Sequence, residues 1–332
     1  MRALGPAPGV RMTHEGFLLR TPSRGVHSLT ERITADQDLF TVTHMGLAEV
    51  DPAAWRMNIG GLVRRPASMS LADVLALPQH QVTSVHECAG SPLAPTEPKR
   101  RVGNVAWSGV RLADVLGQAG IGPDAAYVWS EGLEWGAFAG LTGEPFVKDL
   151  PLGKALAPEV LLAVAMNGAP LTPERGGPVR LVVPGWYGTN SVKWLGHLTL
   201  ADRRAPGPFT TRFYNDPTPD GPRPVWAIAP ESVLVQPAPD APPPAGRACT
   251  VQGWAWAEAG VAKVEISTDG GKDWADAVLE PPDGFAWLRF TCPWTPGPGR
   301  HRLLCRCTDA RGAAQPAAGA RNAVHMVEIT VA

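Results

Sequence analysis

Between about residues 40 and 200, the chain alternates short apolar runs with short amphipathic segments. Four runs rich in β-branched and aromatic residues are predicted to be strands, at residues 53–63, 83–88, 126–132 and 179–183. The segments SLADVLAL and RLADVLGQAG carry apolar residues at helical spacing, so we expect two short helices. Ser70 is the predicted N-cap of the first helix, and Gly120 is predicted to end the second.

The pattern changes after a proline-rich stretch that ends near residue 244. From there on, apolar and polar residues alternate over short runs that turn residues separate, which is typical of a β-sandwich of about seven strands. The chain is therefore predicted to be α+β, a mixed α/β domain followed by an immunoglobulin-like β-sandwich. The predicted parts are an N-terminal arm at 1–35, a catalytic domain at 36–228, a stiff connector at 229–244 and the sandwich at 245–332.

Composition excludes several classes of partner. The 332 residues include 30 basic and 31 acidic side chains, a net charge of −1, so no long-range field for nucleic acid is expected. No apolar run has the length of a membrane span, and no membrane partner is predicted. The first 25 residues lack the apolar core of a signal peptide, and we interpret them as the arm of a cytoplasmic protein.

The cysteines show no zinc-binding spacing. Cys305 and Cys307 lie two residues apart and are predicted to be buried on one face of a strand. Cys88 stands alone where a predicted strand ends in a turn, and three interpretations are open. It is a buried structural thiol, a nucleophile with His86 as its base, or a soft-metal ligand whose remaining ligands belong to a cofactor.

Several sequence motifs around and after Cys88 resemble those of a known family. ECAGSPL, VAWSGVRLADVL, WSEGLEW and the long string MNGAPLTPERGGPVRLVVPGWYGTNSVKWLGHLTL are together similar to the sulfite oxidase family of molybdenum enzymes, from about residue 38 to the C-terminus. The resemblance implies a molybdopterin-binding domain and a β-sandwich through which the family forms homodimers. It also implies that Cys88 ligates molybdenum together with the two dithiolene sulfurs of one molybdopterin.

The resemblance further implies which residues line the cofactor. FTVTH at residues 40–44 is similar to the family's pterin-lining segment: Phe40 and His44 match, Thr41 and Val42 lie between them, and Thr43 replaces the usual asparagine. Glu134 stands where the family often has aspartate, and Arg175 where many members have histidine. The remaining cofactor contacts implied are Arg180, Ser191, Val192 and Lys193. Guanidinium and ammonium groups suit the phosphate of a pterin.

Two aromatic residues match positions near the family's substrate. Tyr214, 21 residues after Lys193, matches the active-site tyrosine, and Trp107 matches a tryptophan that either contacts the substrate or walls its pocket. A packing role for Tyr214 is the alternative. The sequence contains no cytochrome-type haem domain and no CxxCH motif, so no haem is predicted and a separate electron carrier is expected.

The sequence departs from the family where its members bind sulfite. Val42 and Leu93 stand at two positions of substrate-binding arginines, and Arg321 is offset from a third, so that role is not carried over to it. Arg100 and Arg101, or Arg212, are the candidate replacements. We expect two-electron oxygen-atom transfer on a small molecule, with sulfite oxidation as the default. Reduction of an S-oxide, N-oxide or nitrate-type acceptor is the alternative, and a non-catalytic binding protein is a third hypothesis.

Overall fold

A computed structural model of the chain describes residues 7–21, 25–90 and 101–332. These residues form two compact units, each made of discontinuous segments. The first unit contains residues 7–20, 40–82 and 106–226. The second unit contains residues 21, 25–39, 83–90, 101–105 and 227–332. Leu93 and Arg100, two positions of the predicted substrate pocket, lie outside the described residues.

The elements are mostly short strands. The strands up to residue 111 are β1 (Val10–Glu15), β2 (Leu18–Arg20), β3 (Thr41–Thr43), β4 (Gly46–Val50), β5 (Arg56–Gly61), β6 (Ala67–Ser70), β7 (His80–Glu87) and β8 (Val102–Arg111). Those up to residue 224 are β9 (Tyr127–Gly132), β10 (Ala137–Phe138), β11 (Leu141–Thr142), β12 (Val147–Pro151), β13 (Leu161–Met166), β14 (Ala169–Pro170), β15 (Arg180–Val182), β16 (Leu195–Ala201), β17 (Asn215–Asp216) and β18 (Arg223–Pro224).

The remaining strands lie beyond residue 230, and the helices of the described residues lie before it. The last strands are β19 (Glu231–Gln236), β20 (Cys249–Trp256), β21 (Val261–Ser267), β22 (Ala275–Asp276), β23 (Val278–Leu279), β24 (Leu288–Trp294), β25 (Gly299–Asp309) and β26 (Met326–Val331). The α-helices are α1 (Leu71–Leu75), α2 (Leu112–Ala119), α3 (Leu152–Ala155) and α4 (Pro208–Thr211). Short 3₁₀ helices cover Val26–Ser28, Asp36–Asp38, Pro173–Arg175 and Gly188–Asn190.

Both predicted helices are confirmed, and their ends have local causes. Ser70 caps α1 in a reciprocal capping box: its hydroxyl accepts from the Asp73 amide, and the Asp73 carboxylate accepts from the Ser70 amide. Helix α2 ends at Gly120 and buries one apolar face, which includes Val115 and Leu116. Among the described residues, no helix is long and apolar enough to span a membrane.

The first unit is built around a five-stranded sheet in the order β12-β9-β16-β5-β6. Strands β16 and β5 are parallel, and the other neighbouring pairs are antiparallel. The buried side chains of this sheet include Met57, Ile59, Val128, Leu150, Leu198 and Leu200. A second group of strands is arranged around β13, which pairs with β14, β15 and the end of β8. The 3₁₀ helix that Thr172 caps is followed along the chain by strand β15. Together they bring a run of polar side chains into this unit.

The second unit contains the β-sandwich. Two four-stranded sheets, β19-β20-β24-β23 and β22-β21-β25-β26, share one apolar core. Cys305 and Cys307 lie in that core on alternate positions of β25, as predicted, and among the described residues neither forms a disulfide. Seven strands, β20 to β26, lie in the predicted range of the sandwich, in agreement with the expected number, and the eighth strand, β19, comes from the stretch predicted to be a connector.

The predicted domain boundaries follow composition along the chain, whereas the compact units are discontinuous. Strand β19 lies inside the stretch predicted to be a connector, and it pairs with β20. Residues 83–90 and 101–105 belong to the unit that contains the sandwich. One reason is backbone pairing: the amide of Val85 donates to the carbonyl of Phe285 (3.0 Å). Composition cannot reveal a contact between segments two hundred residues apart. A prediction from composition therefore assigns each residue to the same domain as its neighbours in the chain.

Two glycine substitutions are predicted to act in opposite directions. At Gly253 an added Cβ would lie 1.9 Å from the carbonyl oxygen of Val233 on the neighbouring strand, whereas nothing lies within 4 Å of one at Gly117 in helix α2. We expect Gly253→Ala to lower the free energy of unfolding by ~1–3 kcal/mol. Gly117→Ala is expected to raise it by ~0.5–1 kcal/mol. Denaturant unfolding measures both, and a neutral Gly253→Ala variant would contradict the close strand packing.

Candidate cofactor site

Arg175 connects two of the sequence-predicted segments of the first unit. It ends the 3₁₀ helix that Thr172 caps, and its side chain is buried. Its Nη1 donates to the carbonyl of Phe40 (2.8 Å) and to the hydroxyl of Thr41 (3.1 Å). The FTVTH segment and the PERGGPVR segment are therefore in direct contact.

Arg180 opens strand β15 and is also buried. Its guanidinium donates to the carbonyls of Arg175 (3.1 Å) and Ser191 (2.9 Å), and it lies 4.9 Å from the ring centre of Trp107. Burial, followed by the charge of Arg175, lowers the pKa of Arg180 to about 9. Trp107 is fully buried, so it acts on this guanidinium as an aromatic wall.

Lys193 brings a third cation to the same region. Its Nζ donates to the carbonyl of Glu174 (3.2 Å) and lies over the ring of Trp194. Burial and the charge of Arg180 lower the pKa of Lys193 to about 7. Within the described residues, Arg180 and Lys193 are bonded to backbone carbonyls, and neither forms an ion pair with a carboxylate. Arg180 thus places a buried positive charge at the site without an ion-pair partner among the described residues, and Lys193 adds to it where its amine is protonated.

Ser191 and Val192 fix the backbone beside these cations. The Ser191 hydroxyl accepts from the amide of Val183 (3.1 Å), and the Val192 carbonyl accepts from the amide of Leu181 (2.8 Å). Both residues are buried, and their contacts are made by backbone groups and a hydroxyl. They hold the two strand-like segments that carry Arg180 and Lys193 side by side.

Glu134 is a buried acid next to this group. An added Cβ at Gly132 would lie 1.9 Å from its Oε2, so the absence of a side chain at Gly132 makes room for the carboxylate. Oε2 is buried without a hydrogen-bond partner among the described residues, and so is Oγ1 of Thr43. Burial raises the pKa of Glu134 to about 8. Both oxygens can accept hydrogen bonds from a bound ligand.

His44 and Tyr214 meet in an aromatic cluster. The Tyr214 hydroxyl is hydrogen-bonded to Nε2 of His44, whose ring stacks on Phe146 with centroids 5.0 Å apart. Burial, together with the charges of Lys193 and Lys148, lowers the pKa of His44 to about 3, so the imidazole is neutral near pH 7. Tyr214 has a left-handed backbone conformation with φ 58°, and the cluster therefore fixes an unusual conformation for a tyrosine.

Cys88 belongs to the second unit, at the end of strand β7. Its neighbour Glu87 is buried and accepts from the indole Nε1 of Trp256 (2.9 Å), which ties the strand end to the sandwich. Burial raises the pKa of the Cys88 thiol, and the Gly90 amide and the charge of Arg101 partly offset this. A metal that binds here must displace the thiol proton.

Two arginines converge on the turn that follows Cys88. Arg101 donates from its guanidinium to the carbonyl of Gly90, and its own carbonyl accepts from the Cys88 amide (2.9 Å). Arg321 donates from Nη1 to the carbonyl of Ala89 (3.1 Å). The resemblance assigns Arg321 no role, because its position is offset from that of the family's arginine. Its contact joins residues 232 positions apart in the chain, a contact that no local pattern encodes.

The residues of the first unit fit a phosphate-bearing pterin. The buried Arg175 and Arg180 and the half-buried Lys193 offer positive charge for a phosphate, and Glu134 and Thr43 offer unpartnered acceptors for amino groups. Among the described residues, no group of three or more His, Cys, Asp and Glu side chains could hold a metal ion. A metal bound through one thiolate, with cofactor sulfurs as further ligands, needs no such group.

Two family models match the chain. The oxidoreductase molybdopterin binding domain matches residues 44–209, and the Mo-co oxidoreductase dimerisation domain matches residues 223–330. The chain is thus a molybdopterin oxidoreductase with a dimerisation domain, which confirms the predicted fold and cofactor class. It belongs to the sulfite oxidase family.

Individual relatives agree with this assignment. Sulfite oxidase from Gallus gallus is 32% identical over 93% of this chain and 73% of its own length. The crystal structure of the sulfane dehydrogenase SoxCD from Paracoccus pantotrophus superimposes with a TM-score of 0.80, at 27% identity over 99% of this chain and 87% of that one. A nitrate reductase [NADH] from Ulva prolifera is 31% identical over 49% of this chain and 21% of its own length. The chain spans 52 to 58% of the mammalian mitochondrial sulfite oxidases that it matches.

Arg180 is predicted to be needed for cofactor retention. Replacing it by methionine in Arg180→Met removes a buried guanidinium, and the loss of a charge-assisted hydrogen bond to phosphate costs ~1.5–3 kcal/mol, or about tenfold to a hundredfold in affinity. Metal analysis and pterin fluorescence of the purified protein measure the cofactor content per chain. Arg203→Met, at an exposed position, is the matched control. A full complement of cofactor in Arg180→Met would contradict this role.

Proposed function

We propose that the protein oxidises sulfite or a closely related sulfur oxyanion, by two-electron oxygen-atom transfer at a molybdenum that Cys88 ligates. The observation that carries the proposal is the pair of guanidinium groups of Arg101 and Arg321 on the turn after Cys88. A small dianion in a protein site requires positive charge and planar donors, and guanidinium supplies both. These arginines take over the task of the family arginines that Val42 and Leu93 replace.

The molybdenum cofactor would supply the redox chemistry. The residues of the chain bind the cofactor and orient the substrate. Cys88 is the protein ligand of the metal, and the buried cations of the first unit hold the pterin phosphate. Arg101 and Arg321 attract the anion. Tyr214, whose hydroxyl oxygen accepts from the Nε2–H tautomer of His44, offers its own proton to a substrate oxygen. Electrons then leave to a separate carrier.

A reductase of S-oxides, N-oxides or nitrate is the second candidate. Its support is the half-buried, apolar Val42 at a position where the family binds an anion, together with the similarity to a nitrate reductase. A less charged pocket suits a neutral oxide better than a dianion. The two candidates share the cofactor and differ in the groups that meet the substrate.

The test is sulfite oxidation with an artificial electron acceptor, on protein whose molybdenum content has been assayed. We expect turnover, and we expect Arg101→Met and Arg321→Met each to raise the KM for sulfite by about tenfold or more, since each removes a charged donor worth ~1.5–3 kcal/mol. Arg203→Met is the matched control, because Arg203 is exposed and pairs with Asp202.

Three results would contradict this assignment. Molybdenum-loaded protein that ignores sulfite but reduces dimethyl sulfoxide, trimethylamine N-oxide or nitrate from a reduced dye would establish the second candidate. An unchanged KM in both arginine variants would remove Arg101 and Arg321 from the substrate site. Protein that is purified from molybdenum-fed cells without bound molybdenum would favour the binding-protein hypothesis.

We further propose a homodimer in the cytoplasm, formed through the sandwich of residues 245–332. The support for the dimer is the match to the dimerisation domain. We expect sedimentation velocity at micromolar concentration to give twice the chain mass of 35.2 kDa. A single species of monomer mass would contradict the dimer, and recovery of the protein with membranes on cell fractionation would contradict the location.

A further inference from the structure

Lys148 is a buried lysine that the resemblance did not single out. It lies on strand β12, opposite Ser130 of β9, and only 1% of its surface is exposed. Its Nζ donates to the carbonyl of Phe209 (2.9 Å) and lies 5.0 Å from the ring centre of Tyr214. A buried ammonium is costly for a fold, so its position against the predicted active-site tyrosine calls for a functional explanation.

Tyr214 requires more than local backbone preference to stay where it is. Its φ of 58° is unfavourable for a residue with a large side chain. Two side-chain contacts oppose that preference: the hydrogen bond between its hydroxyl and His44, and the ammonium of Lys148 over its ring. An ammonium over an aromatic face is attracted by the ring quadrupole, and more strongly where water is excluded.

We propose that Lys148 is a positioning residue: its ammonium holds the ring of Tyr214, so that the tyrosine hydroxyl stays on His44 and faces the substrate. The inference rests on the proposed function of Tyr214 as an active-site residue. Lys148 itself touches neither substrate nor cofactor in this account, and it acts through the tyrosine.

The charges around Lys148 make this contact dependent on pH. Asp149 and Arg204 form an ion pair beside it, with Arg204 Nε 2.9 Å from Asp149 Oδ2, and the neutral His44 faces it across Tyr214. Burial lowers the pKa of Lys148 to about 7, which Asp149 opposes and Arg204 supports. Below that pH the ammonium is present and holds the ring. Above that pH the neutral amine attracts the ring only weakly, so the cation–π contact is lost as the pH rises.

The experiment compares wild-type holoenzyme with Lys148→Met, Lys148→Arg, Tyr214→Phe and the double variant of Lys148→Met with Tyr214→Phe. Methionine keeps the unbranched shape and removes the charge, and arginine keeps the charge at every accessible pH. We expect Lys148→Met to lower kcat/KM by about tenfold at pH 6, as a desolvated cation–π contact predicts. The ratio of wild-type to Lys148→Met activity should fall toward one above a pH of about 7, whereas Lys148→Arg should keep its activity there. Comparison at equal pH cancels the ionisation of the substrate.

Two measurements separate positioning from a merely structural role. In the Tyr214→Phe background, Lys148→Met should have a much smaller effect on kcat/KM, because the hydroxyl that Lys148 positions is gone. Thermal unfolding should show Lys148→Met to be at least as stable as the wild type, because a buried charge has been removed. Equal losses in both backgrounds would overturn the proposal.

A third measurement does not depend on turnover. The chain has three tyrosines, so NMR of isotope-labelled tyrosine gives a signal for Tyr214 that the Tyr214→Phe variant identifies. We expect this signal to shift with pH around the pKa of Lys148 in wild-type holoenzyme and to stay constant there in Lys148→Met. A constant wild-type signal would overturn the proposal even if Lys148→Met failed to fold. A shifting signal in protein that ignores sulfite would uphold it and contradict the proposed substrate alone.

Discussion

The guanidinium of Arg180 is buried against Trp107 and bonded to the backbone carbonyls of Arg175 and Ser191. Much of the first unit follows from that burial, because an ion in the interior needs a partner for each of its donors. The short helix that ends at Arg175 and the turn at Ser191 supply those carbonyls. They stabilise the cation without neutralising its charge, and Lys193 adds to the excess. An anionic group that binds here would restore the balance, which is why these residues suit the phosphate of a pterin.

The second unit satisfies a different constraint around Cys88. The strand that ends at this cysteine is held to the sandwich through Glu87 and Trp256, and the turn after it is held by Arg101 and Arg321. Burial alone would keep the thiol protonated and inert. A nearby guanidinium favours the thiolate and at the same time offers donors to an incoming anion. Arg101 thus serves both the ligand and the proposed substrate, and Arg321 holds the same turn and serves the proposed substrate.

Local features of the fold could be predicted from the sequence. The cap at Ser70, the helix end at Gly120 and the alternation that buries Cys305 and Cys307 each depend on residues a few positions apart. Non-local features could not be predicted in this way. The contact of Arg321 with Ala89 and the placement of Lys148 over Tyr214 depend on how distant segments pack, and no spacing in the chain reports it. The assignment of Cys88 to a metal came from the resemblance, since spacing alone left three interpretations open.

The same distinction explains why family membership predicts the cofactor more firmly than the substrate. Two predicted cofactor contacts, Arg180 and Lys193, lie within one short segment whose backbone supplies their hydrogen bonds. Arg175, in the same segment, instead donates to Phe40 and Thr41. A substitution there disturbs several interdependent contacts at once, whereas the proposed substrate contacts come from separate parts of the chain, which can exchange an arginine at one position for an arginine at another without disturbing the core. Val42 beside a segment that keeps Arg180 and Lys193 agrees with that difference, and the substrate therefore has to be established from the residues that meet it.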